Sequence, residues 1–349
     1  MIVARRPPGQ RTGRVRAARL TDLAAVGELS RRSHADEPSG ERRMRTLGLP
    51  VGSSHISVFS LFRLPLGAFM PNDLLYVYEE RGTVAGLARV EHEGLRQEWT
   101  IVELDAVDNG TAGDIRFRLV QQVLRDASKR GGMRFHVACA DAGGNVELFM
   151  QAGFARYGEE RILYRPPGSG TIHPARPASG QIRAAVPLDA LELDRLYRAA
   201  TPAPVARLED YRLHDWERQG SHWRIPRSSL TPLLRFADVE AFVEQADDGP
   251  RLAAFCQIGV SKEEQPHYIR VICLPGHDAN DLLAFGMAEI DRARTHRDRG
   301  IVSAVRSYEA PLDRRLEENG FSTVATVSLL MKEMTERVRE PALVPVASR

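Results

Sequence analysis

The chain repeats one pattern twice, and this repeat constrains its fold more than any other feature of the 349 residues. The segment VRAARLTDLAAV begins at Val15, and IRAAVPLDALEL begins at Ile182, 167 positions later. The Gly-Phe pairs that start at Gly153 and Gly320 are separated by the same 167 positions. A common offset at both ends of a long segment indicates duplication. The sequence therefore predicts two copies of one domain.

Composition marks the boundary between the two copies. The stretch RPPGSGTIHPARPASG, residues 165–180, is dense in Pro, Gly and Ser, which is typical of a linker. We therefore predict a first domain over 14–164 and a second over 181–335. A basic arm, 1–13, and a tail, 336–349, are predicted to be unstructured.

Each copy has the same predicted order of elements. A short strand leads into a helix, and a long irregular segment follows. A hairpin is predicted around Arg81 and Gly82, and the strand WTIVELDAV then precedes a helix near 115–129. The strand MRFHVACA, a helix over 145–151 and a final strand complete the unit. This order predicts an α+β or α/β layer fold, with helices on a mixed, largely antiparallel twisted sheet.

Composition also argues against several classes of function. The formal net charge is +2, so no strongly charged partner is implied and nucleic-acid binding is not expected. No run reaches the ~20 apolar residues of a membrane span, and the N-terminus lacks the apolar core of a signal peptide. The three cysteines, Cys139, Cys256 and Cys273, show no metal-ligand spacing, and a sparse odd set is typical of a reducing compartment. We expect a cytoplasmic protein without a metal centre.

The element order and the residues at its end resemble the GNAT superfamily of acyl-CoA-dependent N-acyltransferases. Members finish with a strand, a helix of the form N..A..LYE..GF and a last strand. The segments DAGGNVELFMQAGF and APLDRRLEENGF, at 141–154 and 310–321, stand in that place. The resemblance covers nearly the whole chain as a tandem pair. It implies transfer of an acyl group, usually acetyl, from acyl-CoA to an amine on a small molecule or a protein.

The resemblance places the acyl-CoA site at the turn after the fourth strand, where free amides at a helix start bind pyrophosphate. In the first copy this turn is DAVDNGTAGDIRFRLV, and its candidate cofactor-binding residues are Val107, Gly110, Gly113, Ile115 and Arg116. Asp114 and Arg116 stand where the family has glycines. The second copy offers LPGHDANDLLAFGM, with Asp281 opposite Asp114. Both copies therefore depart from the glycine motif.

The family's usual general acid is a tyrosine four residues before the glycine of Gly-Phe, which protonates the leaving thiolate. Phe149 and Leu316 occupy that place in this chain, and neither side chain can donate a proton. Tyr308 could reach a neighbouring position in the second copy, and the other interpretation is a buried structural tyrosine.

Glu103 and Asp105 are the candidate general bases, because they alternate onto one face of the strand WTIVELDAV. The alternative is that this face is solvated and carries no chemistry. The matching positions of the second copy hold Arg270 and Ile272. These residues therefore favour the first copy as the active one.

Substrate specificity in the family comes from the segment after the first helix. In the first copy this segment includes HISVFSLFRLPLGAFMP, which predicts a helix packed on the sheet, an apolar substrate tunnel or a partner face. In the second copy it is LHDWERQGSHWRIPRSSLTPLLRF. There His214, Asp215 and Trp216, with His222 and Trp223, predict an interface or a core edge.

Two functions stay open from the sequence, and a small-molecule sensor is a third. The first is an N-acyltransferase that uses acetyl-CoA or another acyl-CoA. The second is a scaffold without catalysis that binds a protein partner or forms a homo-oligomer. The conformation of 107–118 separates them. Amides converging on a cleft favour the enzyme, whereas an Asp114 or Arg116 side chain that fills the cleft favours the scaffold.

Overall fold

The computed structural model describes residues 13–35, 73–93, 97–107, 111–141, 143–169, 182–218, 225–234, 236–246, 251–261, 265–293 and 299–334. Within these ranges the first copy comprises β1 (Arg14–Ala17), α1 (Leu23–Ala35), β2 (Asp73–Glu80), β3 (Thr83–Glu93), β4 (Glu98–Ala106), α2 (Ala112–Lys129), β5 (Arg134–Cys139), α3 (Asn145–Gln151) and β6 (Ala155–Arg165). The second copy comprises β7 (Ile182–Ala184), α4 (Ala190–Ala200), α5 (Ala203–Glu209), α6 (Leu213–Glu217), β8 (Phe236–Gln245), β9 (Leu252–Ser261), β10 (His267–Cys273), α7 (Asn280–Ala293), β11 (Ile301–Arg306), α8 (Ala310–Glu318) and β12 (Ser322–Glu333).

The repeated start of each copy folds into the same ion-paired turn. Arg16 donates to both carboxylate oxygens of Asp22, at 2.6 and 2.9 Å. Arg183 does the same to Asp189, at 2.7 and 2.7 Å. Each carboxylate also accepts a hydrogen bond from the backbone N–H three residues before it. The pairs close the turn that enters α1 and α4, which explains why Arg and Asp recur with the same spacing.

The repeated Gly-Phe pairs end helices, as the sequence predicts. Gly153 and Gly320 follow α3 and α8 with φ of 86° and 85°, a conformation that favours glycine. Phe154 and Phe321 then enter the core, each only 4% exposed. The predicted hairpin at Arg81 and Gly82 is confirmed, since β2 and β3 pair antiparallel on either side of it.

All twelve strands join one continuous sheet in the order β1-β2-β3-β4-β5-β12-β6-β11-β10-β9-β8-β7. The last strand of each copy crosses into the other. β12 lies between β5 and β6, and β6 lies between β12 and β11, with antiparallel pairing throughout. The repeat predicts two similar sheets, but it gives no sign that the sheets merge by exchanging strands.

Helices cover both faces of the sheet, and consecutive residues of β3 show the division. Leu87 packs in a cluster with Val26 and Leu29 of α1. Ala88 packs in the cluster that contains Leu119 of α2. We call these sides the α1 face and the α2 face. In the second copy α4 to α6 lie on the α1 face and α7 packs on the opposite side of β9. None of the described helices has the length and apolar character needed to cross a membrane.

Candidate active site

The carboxyl ends of β4 and β5 separate in the first copy. The two strands run parallel and pair only from Glu98 opposite Arg134 to Ile101 opposite Val137. β4 continues to Ala106, past the end of this ladder. We call the opening between residues 102–106 of β4 and 138–139 of β5 the first cleft. Beyond Ile101 and Val137, the two strands are no longer paired with each other.

A β-bulge lies where the first cleft begins. Ile101 pairs with Val90 of β3, and the next paired residue, Glu103, faces Arg89, so Val102 is an extra residue in β4. Bulges bend the strand and redirect its side chains. In the second copy β10 pairs with β9 over Tyr268–Cys273 without such a shift. The bulge therefore distinguishes the first cleft from its counterpart.

Glu103 and Asp105 share the α1 face, as predicted. Glu103 faces Arg89 across the ladder, and its carboxylate lies 3.4 Å from the Arg89 Nε atom. Asp105 lies opposite Leu87, which packs toward α1. The two residues are only 6% and 8% exposed. The alternative of a solvated face is therefore wrong, and two carboxylates lie buried beside the first cleft.

Helix α2 begins at the end of the first cleft. Its N-cap residue, Thr111, makes no side-chain capping hydrogen bond, and the first bond of the helix runs from Ile115 N to Thr111 O at 3.1 Å. The preceding N–H groups carry the positive end of the helix dipole and suit an anion. A Cβ added at Gly113 would meet nothing within 4 Å among the described residues. The backbone can therefore be approached closely here.

The other predicted cofactor residues fall in different surroundings. Ile115 is 1% exposed, and a Cβ added at Gly86 would lie only 2.5 Å from the Ile115 Cγ2 atom. Its side chain therefore fixes α2 on the sheet and does not line the first cleft. Val107 is 39% exposed just after β4. Gly110 lies outside the described residues.

Asp114 and Arg116 diverge from the start of α2. Asp114 forms an ion pair with Arg118 at 2.9 Å, and its side chain is 54% exposed. Arg116 Nη1 donates to the Asn145 side-chain oxygen at 2.9 Å, joining the starts of α2 and α3. The buried Arg116 Nε atom has no hydrogen-bond partner among the described residues. The Asp114 side chain thus turns to Arg118 and solvent, whereas the Arg116 Nε–H group has no hydrogen-bond partner in the described ranges.

The positions of the missing tyrosine are part of the core in both copies. Phe149 is 3% exposed and packs edge-on against Phe154, with ring centroids 5.3 Å apart. Leu316 is 2% exposed. Tyr308 is partly buried, and burial raises the pKa of its hydroxyl above the usual value. These positions therefore supply no ready proton donor.

The corresponding opening of the second copy, the second cleft, is filled by an ion pair. β10 and β11 stop pairing at Ile269 opposite Ser303. Next on β10, Arg270 donates to Ala304 O on β11 at 3.0 Å and to both oxygens of Glu309, at 2.8 and 2.7 Å. Arg270 is only 2% exposed. These bonds bridge the ends of the two strands and close the second cleft.

The start of α7 in the second copy is also occupied by the chain itself. Asn280 N donates to Asp278 Oδ1 at 3.1 Å, and the Asp278 carboxylate pairs with Arg315 at 2.8 Å. Asn319 of the α8 terminus donates to the Asn280 side chain at 3.0 Å. A carboxylate at a helix start takes the place that an external anion would use. The helix start of the second copy is therefore capped by a side chain, whereas the N-cap residue of α2, Thr111, makes no such bond.

A buried network connects the second cleft to the rest of the α1 face. Arg306 Nε lies 2.8 Å from Glu160, and Arg306 Nη2 lies 2.8 Å from Glu209. Tyr197 donates its hydroxyl to the same Glu209 carboxylate. Tyr157 places its ring below the guanidinium, 5.9 Å away, and burial raises the Tyr157 pKa to about 12. No sequence pattern marked these residues, because they come together from distant segments.

The predicted specificity segments are only partly described. Trp216 is 1% exposed and packs with Tyr197, Tyr211 and Phe255, which confirms a core-edge role. His214 is exposed, 3.5 Å from Asp215. His222 and Trp223 lie outside the described residues, as does 55–71 of the first copy.

Solved structures with the same architecture are GNAT proteins. The crystal structure of a GCN5-related N-acetyltransferase from Sphaerobacter thermophilus matches 92% of this chain and 95% of its own, with a TM-score of 0.54 and 15% identity. A tandem GNAT protein from the clavulanic acid biosynthesis pathway matches 92% of this chain and 98% of its own, with a TM-score of 0.53 and 14% identity. No family model and no curated protein matches the sequence. At these identities the likeness establishes the fold, so the chain has the tandem GNAT fold.

Proposed function

We propose that this protein is an acyl-CoA-dependent N-acyltransferase whose working site is the first cleft. The observation that carries the proposal is the start of α2. Its N-cap residue, Thr111, makes no side-chain capping hydrogen bond, and Arg116 adds a buried Nε–H group that has no hydrogen-bond partner among the described residues. An arginine in the first turns of a helix opposes the helix dipole unless an anion lies between them. A diphosphate satisfies both the amides and the guanidinium.

The residues of the first copy fit an acyl-CoA molecule. The N–H groups of Ala112, Gly113 and Asp114, with Arg116, would hold the diphosphate, and the backbone at Val107 would line the same end. Bound there, acyl-CoA supplies an acyl group activated as a thioester. Beyond Ile101, β4 has backbone N–H groups outside the parallel ladder that can stabilise an oxyanion.

Glu103 is the proposed general base, with Asp105 beside it on the same face. An amine that attacks the thioester carbonyl must lose a proton, and a carboxylate within reach, directly or through one water, can accept it. The leaving thiolate takes its proton from solvent, because Phe149 has none to give. Asp105 would keep the acceptor amine close through its negative charge.

The direct test is release of free CoA thiol from acetyl-CoA in the presence of a panel of amines. Glu103→Gln should lower kcat by about 100-fold or more, the usual contribution of a positioned base. Arg116→Gln should raise the Kd for acetyl-CoA by roughly tenfold or more, since a charged hydrogen bond is lost.

Asp114→Asn is the matched control for Arg116→Gln. It removes an exposed charge of opposite sign from the same turn of α2. It should leave acetyl-CoA affinity unchanged or improve it, because a carboxylate near a diphosphate is repulsive. If wild-type protein neither binds acetyl-CoA nor releases thiol with any amine, the proposal is wrong.

The scaffold remains a second candidate because one observation favours it. The Arg116–Asn145 hydrogen bond already joins the starts of α2 and α3, where a ligand would have to enter. A scaffold would keep this bond permanently. Under the enzyme proposal, acetyl-CoA must break or rearrange it. The Asn145 side-chain amide signals in an NMR spectrum should therefore shift on addition of acetyl-CoA, and a scaffold predicts no shift.

A further inference from the structure

We propose that Arg227, a residue of the second copy, is a positioning residue for the acceptor side of the first cleft; this rests on the proposed function. Arg227 reaches across the junction of the copies to β4. Its Nη2 atom lies 2.6 Å from Glu98 Oε2, and its Nη1 atom donates to Thr100 Oγ1 at 2.8 Å. The side chain is only 15% exposed, and that of Glu98 is 2% exposed. A buried carboxylate needs such a partner.

The main chain of Arg227 is held on both sides by the second copy. Arg227 N donates to the Tyr211 hydroxyl at 2.7 Å, and Arg227 O accepts from Arg306 Nη2 at 2.8 Å. Arg306 is in turn fixed by Glu160 and Glu209, each 2.8 Å away. The backbone of Arg227 is therefore held by buried hydrogen bonds and ion pairs, and its guanidinium contacts β4 from a fixed position.

Thr100 and Glu103 lie on the same face of β4. Thr100 is opposite Glu91, and Glu103 is opposite Arg89, two residues apart on β3 and hence on one face. With Val102 in the bulge, Thr100 and Glu103 are successive side chains on this face, about 7 Å apart along the strand. Arg227 thus holds the strand immediately before the residue proposed as the base.

This arrangement gives the second copy a role although its own cleft is closed. The buried network around Arg306 lies on the α1 face of the second copy, where an acceptor amine for that copy would have to bind. The same network holds the backbone of Arg227. The start of α2 lies over the opposite face of the sheet, packed through Ile115 on Gly86. Loss of Arg227 should therefore disturb Glu103 and leave the acyl-CoA side in place.

The test is Arg227→Gln in the full chain, with Arg161→Gln as control. Arg161 forms another ion pair between the copies, with Asp313 of α8, away from β4. Arg227→Gln should lower kcat by about tenfold, since a small misplacement of a reacting group is costly. It should leave the Kd for acetyl-CoA unchanged, and hydrogen exchange of 98–106 should become faster. Arg161→Gln should change none of these quantities.

Two conservative variants complete the test. Arg227→Lys keeps the charge and should recover part of the kcat. Thr100→Val keeps the Glu98 pair and the shape of β4, so it should fold normally and lose activity in the same direction. An unchanged kcat and unchanged exchange of 98–106 in Arg227→Gln would overturn the proposal. If wild-type protein has no activity with any amine, the proposed function fails, and exchange of 98–106 still decides whether Arg227 positions β4.

Discussion

Equivalent strands carry Glu103 in the first copy and Arg270 in the second, and the two side chains pair with neighbours on opposite sides of their strand. Glu103 pairs with Arg89 on β3, the preceding strand. Arg270 bonds Ala304 O on β11, the next strand in the sheet, and also Glu309. It therefore bridges the ends of β10 and β11. Within the part of the chain that the structure describes, the same pair of strand ends is thus bridged by an arginine ion pair in the second copy, whereas in the first copy the matching charged residue pairs with β3. The difference lies in which neighbour the central charged residue pairs with.

The starts of α2 and α7, next to the first and second clefts, also differ in the charged residues they carry. At α2, Arg116 brings positive charge and a buried Nε–H group that has no hydrogen-bond partner in the described part of the chain. At α7, Asp278 supplies a carboxylate to the helix start and Arg315 neutralises it. The turn at the start of each copy, by contrast, is unchanged. Duplication therefore preserved the frame and altered the two places where a cofactor would bind.

Removing the ion pair that closes the second cleft should have the largest effect on stability. Glu309→Ala removes the carboxylate and leaves Arg270 buried without its main partner. The free energy of unfolding should fall by about 3 to 5 kcal/mol, as for other buried pairs that lose one member. Urea denaturation of the variant and the wild type measures this difference.

The control for this variant is Glu318→Ala, which breaks ion pairs at the exposed end of α8. It should have little effect on the urea midpoint, because exposed pairs contribute little. Equal midpoints for Glu309→Ala and the wild type would show that the Arg270–Glu309 pair does not hold the second cleft closed.

An intermediate effect is expected from adding one methyl group in each copy. A Cβ at Gly86 would meet Ile115 Cγ2 at 2.5 Å, and one at Gly286 would meet Cys256 Sγ at 2.7 Å. Gly86→Ala and Gly286→Ala should each destabilise the fold by about 1 to 3 kcal/mol, as overpacking does. Only Gly86→Ala should weaken acetyl-CoA binding, because it displaces α2. Calorimetric titration of both variants checks this, and equal affinities would contradict the asymmetry.

The smallest effect, and the same one in both copies, is expected at the conserved turn. Asp22→Asn and Asp189→Asn should each cost about 1 kcal/mol at neutral pH, the usual value for a lost helix-start cap. Hydrogen bonds from Arg16 and Arg183 hold the pKa of these carboxyls below the usual range. This contribution is present above the unfolded pKa of about 4 and is lost as the pH falls through the lower folded value.

Over the range from pH 7 down to about 3, the stability difference between each variant and the wild type should therefore shrink as the pH falls. A difference that is independent of pH would mean that the carboxylate charge plays no part in the turn. A loss of stability in only one of the two variants would mean that the ion-paired turns of the two copies are not equivalent.

Local patterns predicted the parts of the molecule that local physics decides. The repeat gave the Gly-Phe helix ends, and strand alternation placed Glu103 and Asp105 on one face. The bulge at Val102 was not visible, since it is defined only by pairing with β3. The bond from Arg227 to Glu98 joins residues 129 positions apart, and no spacing rule reaches that far.

The exchange of β6 and β12 was hidden for a similar reason. Each strand carries a pattern that suits either sheet, and only tertiary packing decides which neighbours it takes. Closure of the second cleft was likewise not predicted, because Arg270 and Glu309 lie 39 residues apart. Sequence reasoning therefore predicted a site in the first copy, which stays a prediction, and missed the features that make the two copies different.

Hydrogen exchange of the full chain, with and without acetyl-CoA, decides whether the first cleft binds the cofactor while the second is closed by its own residues. We expect slower exchange in 111–119 and 134–141 on addition of acetyl-CoA, and no change in 278–286 or 301–309. Protection of the second pair of segments, or of neither pair at saturating acetyl-CoA, would contradict this expectation.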